Sequence, residues 1–127
     1  MKEEIELTLN EANECLIDAK IMLESQRWKA AVSRSYYAMY HAVKAVLLSK
    51  NIKTFTHQGV NIQFGKYFVK TGIFDRNLIR TFSKMLDTRQ KADYEIGFSA
   101  SKNDALHAFS EAEIFFKEMS KYIREVK

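Results

Sequence analysis

The stretch Trp28–Lys50, WKAAVSRSYYAMYHAVKAVLLSK, decides how the rest of the chain is arranged. It holds no glycine, proline or acidic residue, so nothing interrupts a helix of about six turns at 3.6 residues per turn. Ala30, Ala31, Ser33, Ser35, Ala38, Ala42 and Ala45 are small. Small side chains let neighbouring helices approach toward an interaxial distance of ~8–10 Å. Val32, Met39, Val43 and Val46 fall on one side of the helical wheel. Arg34, Tyr37, His41 and Lys44 fall on roughly the opposite side, at spacings of three and four. A helix apolar on one side and small elsewhere is predicted to be central, with neighbours on more than one face. Its polar stripe must reach solvent, pair internally or line a site.

The other segments read as helices that surround it. From Lys2 to Glu24, Ile5, Leu9, Ala12, Leu16, Ala19 and Leu23 alternate steps of four and three, one continuous apolar seam. Ser25-Gln26-Arg27 is a short link, which predicts that the first two helices are antiparallel. Residues 51–57 form a connector, and a shorter third helix is expected over Val60–Val69, with Gly72 as a left-handed stop. Asp75 is a suitable N-cap for a fourth helix reaching Tyr94, with Leu78, Phe82, Met85, Leu86 and Arg89 on one face. Residues 95–100 break the pattern. Ser101 and Asp104 resemble a capping box before a last helix with apolar residues from Ala105 to Ile123. The expected fold is all-α, an up-and-down bundle of four long helices and one short one, in a single domain spanning 1–127.

Charge is distributed unevenly. Residues 1–27 carry three basic and seven acidic residues, whereas residues 28–95 carry twelve basic and four acidic ones. A basic middle can attract phosphates, or it can meet the acidic first helix. Cys15 is the only cysteine, which rules out an intrachain disulfide and fits a reducing compartment. It lies in an amphipathic helix and reads as a buried structural thiol. No Cys/His group has the linear spacing of a zinc site, so no metal or cofactor is expected. The charged N-terminus lacks the apolar stretch of a signal peptide, and no run of about 18 apolar residues suggests a membrane span. A soluble, cytoplasmic protein is expected.

Four groupings carry candidate chemistry. Arg34, Tyr37 and His41 share one stripe. Arg offers a planar fork to phosphate oxygens, and His exchanges a proton near neutral pH. Thr54, Thr56, His57 and Gln58 lie in the connector, where His57 is placed to meet a ligand or to anchor the loop. Arg89, Asp93 and Tyr94 lie near the end of the fourth helix, with Arg89 and Asp93 spaced for an ion pair. His107 sits off the apolar face of the last helix and reads as exposed. No Gly-rich phosphate loop and no Ser/His/Asp pattern is present.

The run from Arg34 to Ala42, RSYYAMYHA, resembles the signature helix of the HEPN superfamily in its small prokaryotic branch. Residues 56–60 (THQGV), 63–72 (QFGKYFVKTG) and 89–94 (RQKADY) are similar to further segments of that branch. The resemblance implies a helical bundle that forms a homodimer, and pairing with a minimal nucleotidyltransferase in a toxin–antitoxin-like module. It implies nucleotide or RNA binding, for which Arg34, Tyr37, His41, His57 and Arg89 are the candidates. It also implies the alternative of a metal-independent ribonuclease toxin, whose motif is an Arg, four to six residues, a His and often a Tyr. Arg89, Asp93 and Tyr94 stand at that place, with Asp93 where the His is expected. A carboxylate is a poor acid near neutral pH, so slow cleavage or none is expected. Arg34 and His41 have the motif's spacing in an earlier helix. The resemblance also implies adenylation of the motif's tyrosine by the nucleotidyltransferase, for which Tyr94 is the nearest match, directly after Asp93. A helical dimerisation protein with no ligand is the remaining alternative.

Overall fold

The computed structural model describes residues 2–126. It contains α1 (Lys2–Glu24), α2 (Trp28–Leu48), α3 (His57–Phe64), α4 (Arg76–Tyr94) and α5 (Lys102–Glu125). Helix α3 runs directly into one π-helical turn, Gly65–Val69. No strand occurs among the described residues. The expected all-α bundle is therefore present.

Helix α2 is the centre of the bundle and packs against α1, α3, α4 and α5. Thirteen of its 21 residues are buried, so its partners cover more than one face. The small residues Ala31, Ala38, Ala42 and Ala45 are fully buried, as close helix approach requires. Arg34, Tyr37, His41 and Lys44 are half-buried, a polar stripe of α2 that reaches solvent. Helices α1 and α2 are antiparallel, as the short link predicted. Gln26 takes a left-handed conformation in the link, with φ of 58°. At the far end of the pair, Lys53 just beyond α2 approaches Glu4 at the start of α1, with 3.9 Å between charged atoms.

Phe64, Phe68, Phe82 and Phe115 are fully buried on top of this frame. Each such side chain stabilises the fold by about 1.5–3 kcal/mol relative to exposure. Phe82 stacks on Tyr36 at 5.9 Å between ring centroids and tilts against Phe115 at 6.0 Å, so an aromatic column crosses from α2 through α4 to α5.

Two boundaries differ from the sequence expectation. Helix α2 ends at Leu48, because Ser49 to Asn51 turn out of the helix and Asn51 takes a φ of 61°. Helix α3 starts at His57, three residues before the expected Val60. The cause is a cap: the Gly59 N–H donates to Thr56 Oγ1 at 2.9 Å. Gly59 is needed there, since a Cβ would stand 2.8 Å from that oxygen. The remaining caps match expectation. The Asn77 N–H donates to Asp75 Oδ1. Ser101 and Asp104 form a reciprocal capping box, and those hydrogen bonds hold the Asp104 carboxyl below the usual carboxylate range. Gly72 is left-handed, with φ of 82°.

Candidate functional site

The fold gathers three of the four sequence groupings into one cluster. Helix α2 contributes Tyr36 and Tyr40, four apart and on one face, with Tyr37 beside them. The Thr56 cap makes His57 the first residue of α3 and thereby sets its position. The His57 ring lies 4.3 Å from Tyr40 and 5.7 Å from Tyr37, centroid to centroid. The Tyr36 hydroxyl is 2.8 Å from His57 Nδ1. In the Nε2–H tautomer the hydroxyl donates to that nitrogen.

Helix α4 supplies the cation. Arg89 is only 5% exposed, and its guanidinium carbon lies 5.4 Å from the Tyr36 ring centroid and 5.7 Å from that of Tyr37. A desolvated cation over two aromatic faces gains on the order of 2 kcal/mol. Arg89 also donates through NH1 to Asp93 Oδ2 at 3.2 Å. The expected helical ion pair is thus present. Nε of Arg89 is buried and has no hydrogen-bond partner among the described residues. Arg34 also places its guanidinium carbon 4.8 Å from the Tyr37 ring centroid. Two guanidinium groups therefore lie close to one tyrosine.

His41 flanks the cluster, with its ring 5.2 Å from Tyr40 and 6.4 Å from Tyr37. It sits nearly two turns from Arg34 along the same stripe, so the two frame Tyr37 without pairing. Lys44 reaches over Tyr40 at 5.8 Å. Tyr94 is separate. It is 77% exposed and lies in a shallow hollow with Asp87, Gln90, Lys91 and Glu95. His107 is exposed, as expected. A shallow cleft beside the cluster is lined by Trp28, Lys29, Ser33 and Asp93. A cavity of about 460 Å³ between α4 and α5, lined by Arg80, Lys84, Phe98 and His107 among others, includes none of the cluster's residues.

The electrostatics follow from this packing. Burial lowers the pKa of His57, and the Arg89 charge lowers it further against the pull of Asp93. Burial likewise lowers His41, assisted by Lys44 and Arg34 and opposed by Glu11. Both imidazoles are therefore neutral at pH 7. Burial pushes the hydroxyls of Tyr36 and Tyr40 up, so both remain protonated. Burial favours proton loss from Arg89, but the Asp93 hydrogen bond and the nearby tyrosines outweigh it and the group stays charged. The assembly offers rings that stack, guanidinium groups that pair with phosphate oxygens, and a neutral imidazole that accepts a proton.

Tyr36 and Tyr40 were not singled out from sequence as site residues. Their spacing of four was visible, but their partners sit on α3 and α4. Glu11 and Cys15 also share one face of α1, opposite His41, a meeting that linear spacing conceals.

Comparison with known proteins agrees with this architecture. A protein of Methanocaldococcus jannaschii bearing the name "Putative toxin MJ0605" is 36% identical over 126 residues, covering 99% of this chain and 93% of its own length. A "UPF0332 protein" of Thermotoga maritima is 34% identical over 123 residues, covering 97% and 93% respectively. A second M. jannaschii protein, "Putative toxin MJ0142", is 34% identical over 122 residues, covering 96% of this chain and 83% of its own length. The sequence model of the HEPN domain matches residues 5–122, from the first apolar residue of α1 to near the end of α5. The chain belongs to the HEPN-domain family.

Proposed function

We propose that this HEPN protein binds nucleotide or single-stranded RNA at the Tyr36–Tyr37–His57–Arg89 cluster and acts within a toxin–antitoxin-like module. The observation that carries the reading is Arg89. A guanidinium is rarely buried without full pairing, because desolvation is costly. Here it is held by Asp93 between two aromatic faces, and its Nε lacks an acceptor among the described residues. A phosphate oxygen would supply that acceptor once the Arg89 side chain turns toward solvent, and Tyr37 would offer a face to a base. Such stacking contributes about 1–3 kcal/mol per base. Two M. jannaschii relatives carry the word toxin in their names, which supports the module. On this reading the chain works as a homodimer and its partner is a minimal nucleotidyltransferase, with Tyr94 the accessible acceptor for adenylate.

The test is fluorescence anisotropy with a labelled single-stranded RNA and with ATP as competitor. Tyr37→Ala and Arg34→Ala change half-exposed side chains, so the fold survives. Each is expected to weaken binding by roughly tenfold, within the stacking range. Native affinity in both variants, with melting temperatures unchanged, would remove the site from this cluster.

A second reading is RNA cleavage by the same cluster. It is favoured by the Tyr36–His57 hydrogen bond beside Arg89, which orients a neutral imidazole next to a cation. Metal-independent cleavage by the native protein that is lost in His57→Ala would select it.

A further inference from the structure

Glu11, Cys15 and His41 bring one carboxylate, one thiol and one imidazole together at the flank of the cluster described above, on its α1 side. Each offers one ligand atom, and the three atoms lie within 4.8 Å of one another. We propose that they form a binding site for a borderline-soft divalent cation of the zinc class.

The helix pair builds the site. Glu11 and Cys15 are four apart on α1 and project from one face. The antiparallel register of α1 and α2 sets His41 opposite them. The donor set is informative. A thiolate beside an imidazole selects zinc-like ions over magnesium or calcium, which take oxygen ligands. Zinc binds sulfur at about 2.3 Å and nitrogen at about 2.0–2.1 Å, so tetrahedral neighbours stand roughly 3.5 Å apart. A spacing within 4.8 Å must close by about an ångström on binding, and the exposed Glu11 side chain is the freest of the three to move.

A second observation points to the same ligand. Among the described residues, the Glu11 carboxylate, the Cys15 thiol and the His41 ring make no hydrogen bond or ion pair. Cys15 is 3% exposed and His41 is half-buried. Three converging donors, two of them withdrawn from water, are thus left without a hydrogen bond among the described residues. The charges around them are of both signs. Glu11, Glu14 and Asp18 act on Cys15 against the single charge of Arg34, while Lys44 and Arg34 face His41. On binding, the Cys15 proton leaves to solvent and the thiolate joins the metal. The three side chains leave a fourth tetrahedral position for water. The ion would staple α1 to α2.

The test uses Co²⁺ and Zn²⁺ on the purified, metal-stripped full chain. The expected result is one Co²⁺ per chain with a near-ultraviolet thiolate-to-cobalt band, displaced by Zn²⁺. Zn²⁺ should raise the melting temperature and protect Cys15 from alkylation. Glu11→Gln changes an exposed side chain and tests the site with the fold intact. It should weaken binding at least tenfold, and Cys15→Ser and His41→Ala by about a hundredfold or more, beyond the 10–100-fold typical of supporting partners. His107→Ala should bind normally. The proposal is overturned by the absence of a thiolate band, by unchanged affinity in Glu11→Gln and Cys15→Ser, or by loss of binding in His107→Ala.

Discussion

The Tyr36 hydroxyl and His57 Nδ1 lie 2.8 Å apart, although 21 positions separate the two residues in the chain. That contact ties the start of α3 to the central helix. Tyr36→Phe keeps the stacked ring and removes only the donor. The variant should lose about 0.5–1.5 kcal/mol, the usual net value of one hydrogen bond. Urea denaturation checks this, and an unchanged midpoint would show that the bond contributes nothing.

Both histidines of the central region have pKa values lowered in the folded state, chiefly by burial. The unfolded chain therefore takes up protons first as pH falls. Stability is fully present above the unfolded value of about 6.5 and declines as pH drops through the folded values. Melting temperatures measured from pH 8 to pH 5 should fall below about pH 6.5. His57→Gln and His41→Gln should each flatten the decline. A profile that stays level down to pH 5 contradicts the assignment.

Asp93 holds a buried guanidinium while itself remaining partly open to solvent, at 30% side-chain exposure. Asp93→Asn keeps a weaker acceptor and lowers the charge complement. It should cost about 1–2 kcal/mol, below the 3–5 kcal/mol for breaking a fully buried pair. Thermal melting with Asp87→Asn as the exposed control separates this from a general charge effect.

Asp93→His tests the cleavage reading from the other side. It puts an imidazole one turn from Arg89, where the resemblance to the HEPN ribonuclease motif leads one to expect a histidine. General acid–base catalysis typically contributes ~10²–10⁴-fold. The variant should cleave a fluorogenic RNA faster than the native protein near pH 7, and equal rates would show that Asp93 is not what limits the native protein.

The Thr56 cap is the local device that places His57. Thr56→Ala should cost about 1 kcal/mol and should weaken RNA binding together with stability. Gly59→Ala should act in the same direction, because its Cβ would meet the capping oxygen at 2.8 Å. Normal RNA binding in both variants would separate the cap from the site.

Helix periodicity carried most of the fold. The apolar spacing in α1, α4 and α5 and the small residues of α2 specify which faces turn inward, and Asp75 and Ser101 mark where helices begin. The start of α3 was less visible, because Thr56 sits among other polar and β-branched residues with no apolar rhythm to frame it. The site was legible in pieces. Arg34, Tyr37, His41, His57, Arg89 and Asp93 stood out by residue type, but periodicity reports the faces of a helix and not which neighbour meets each face. Tyr36 could pass for ordinary core from sequence, and only the packing of α3 and α4 against α2 shows that its hydroxyl faces a histidine and its ring a guanidinium.

The cleft shared by Trp28 and Asp93 gives the molecule an optical gauge of its own. Trp28 is the sole tryptophan of the chain, so indole emission has one source and needs no deconvolution. It stands at the first residue of α2 and lines the same cleft as Asp93, whose carboxylate steadies Arg89. An occupant that draws Arg89 away from Asp93 would change the charge in the cleft that the indole lines. Emission colour and intensity would then follow occupancy in real time, with no label attached.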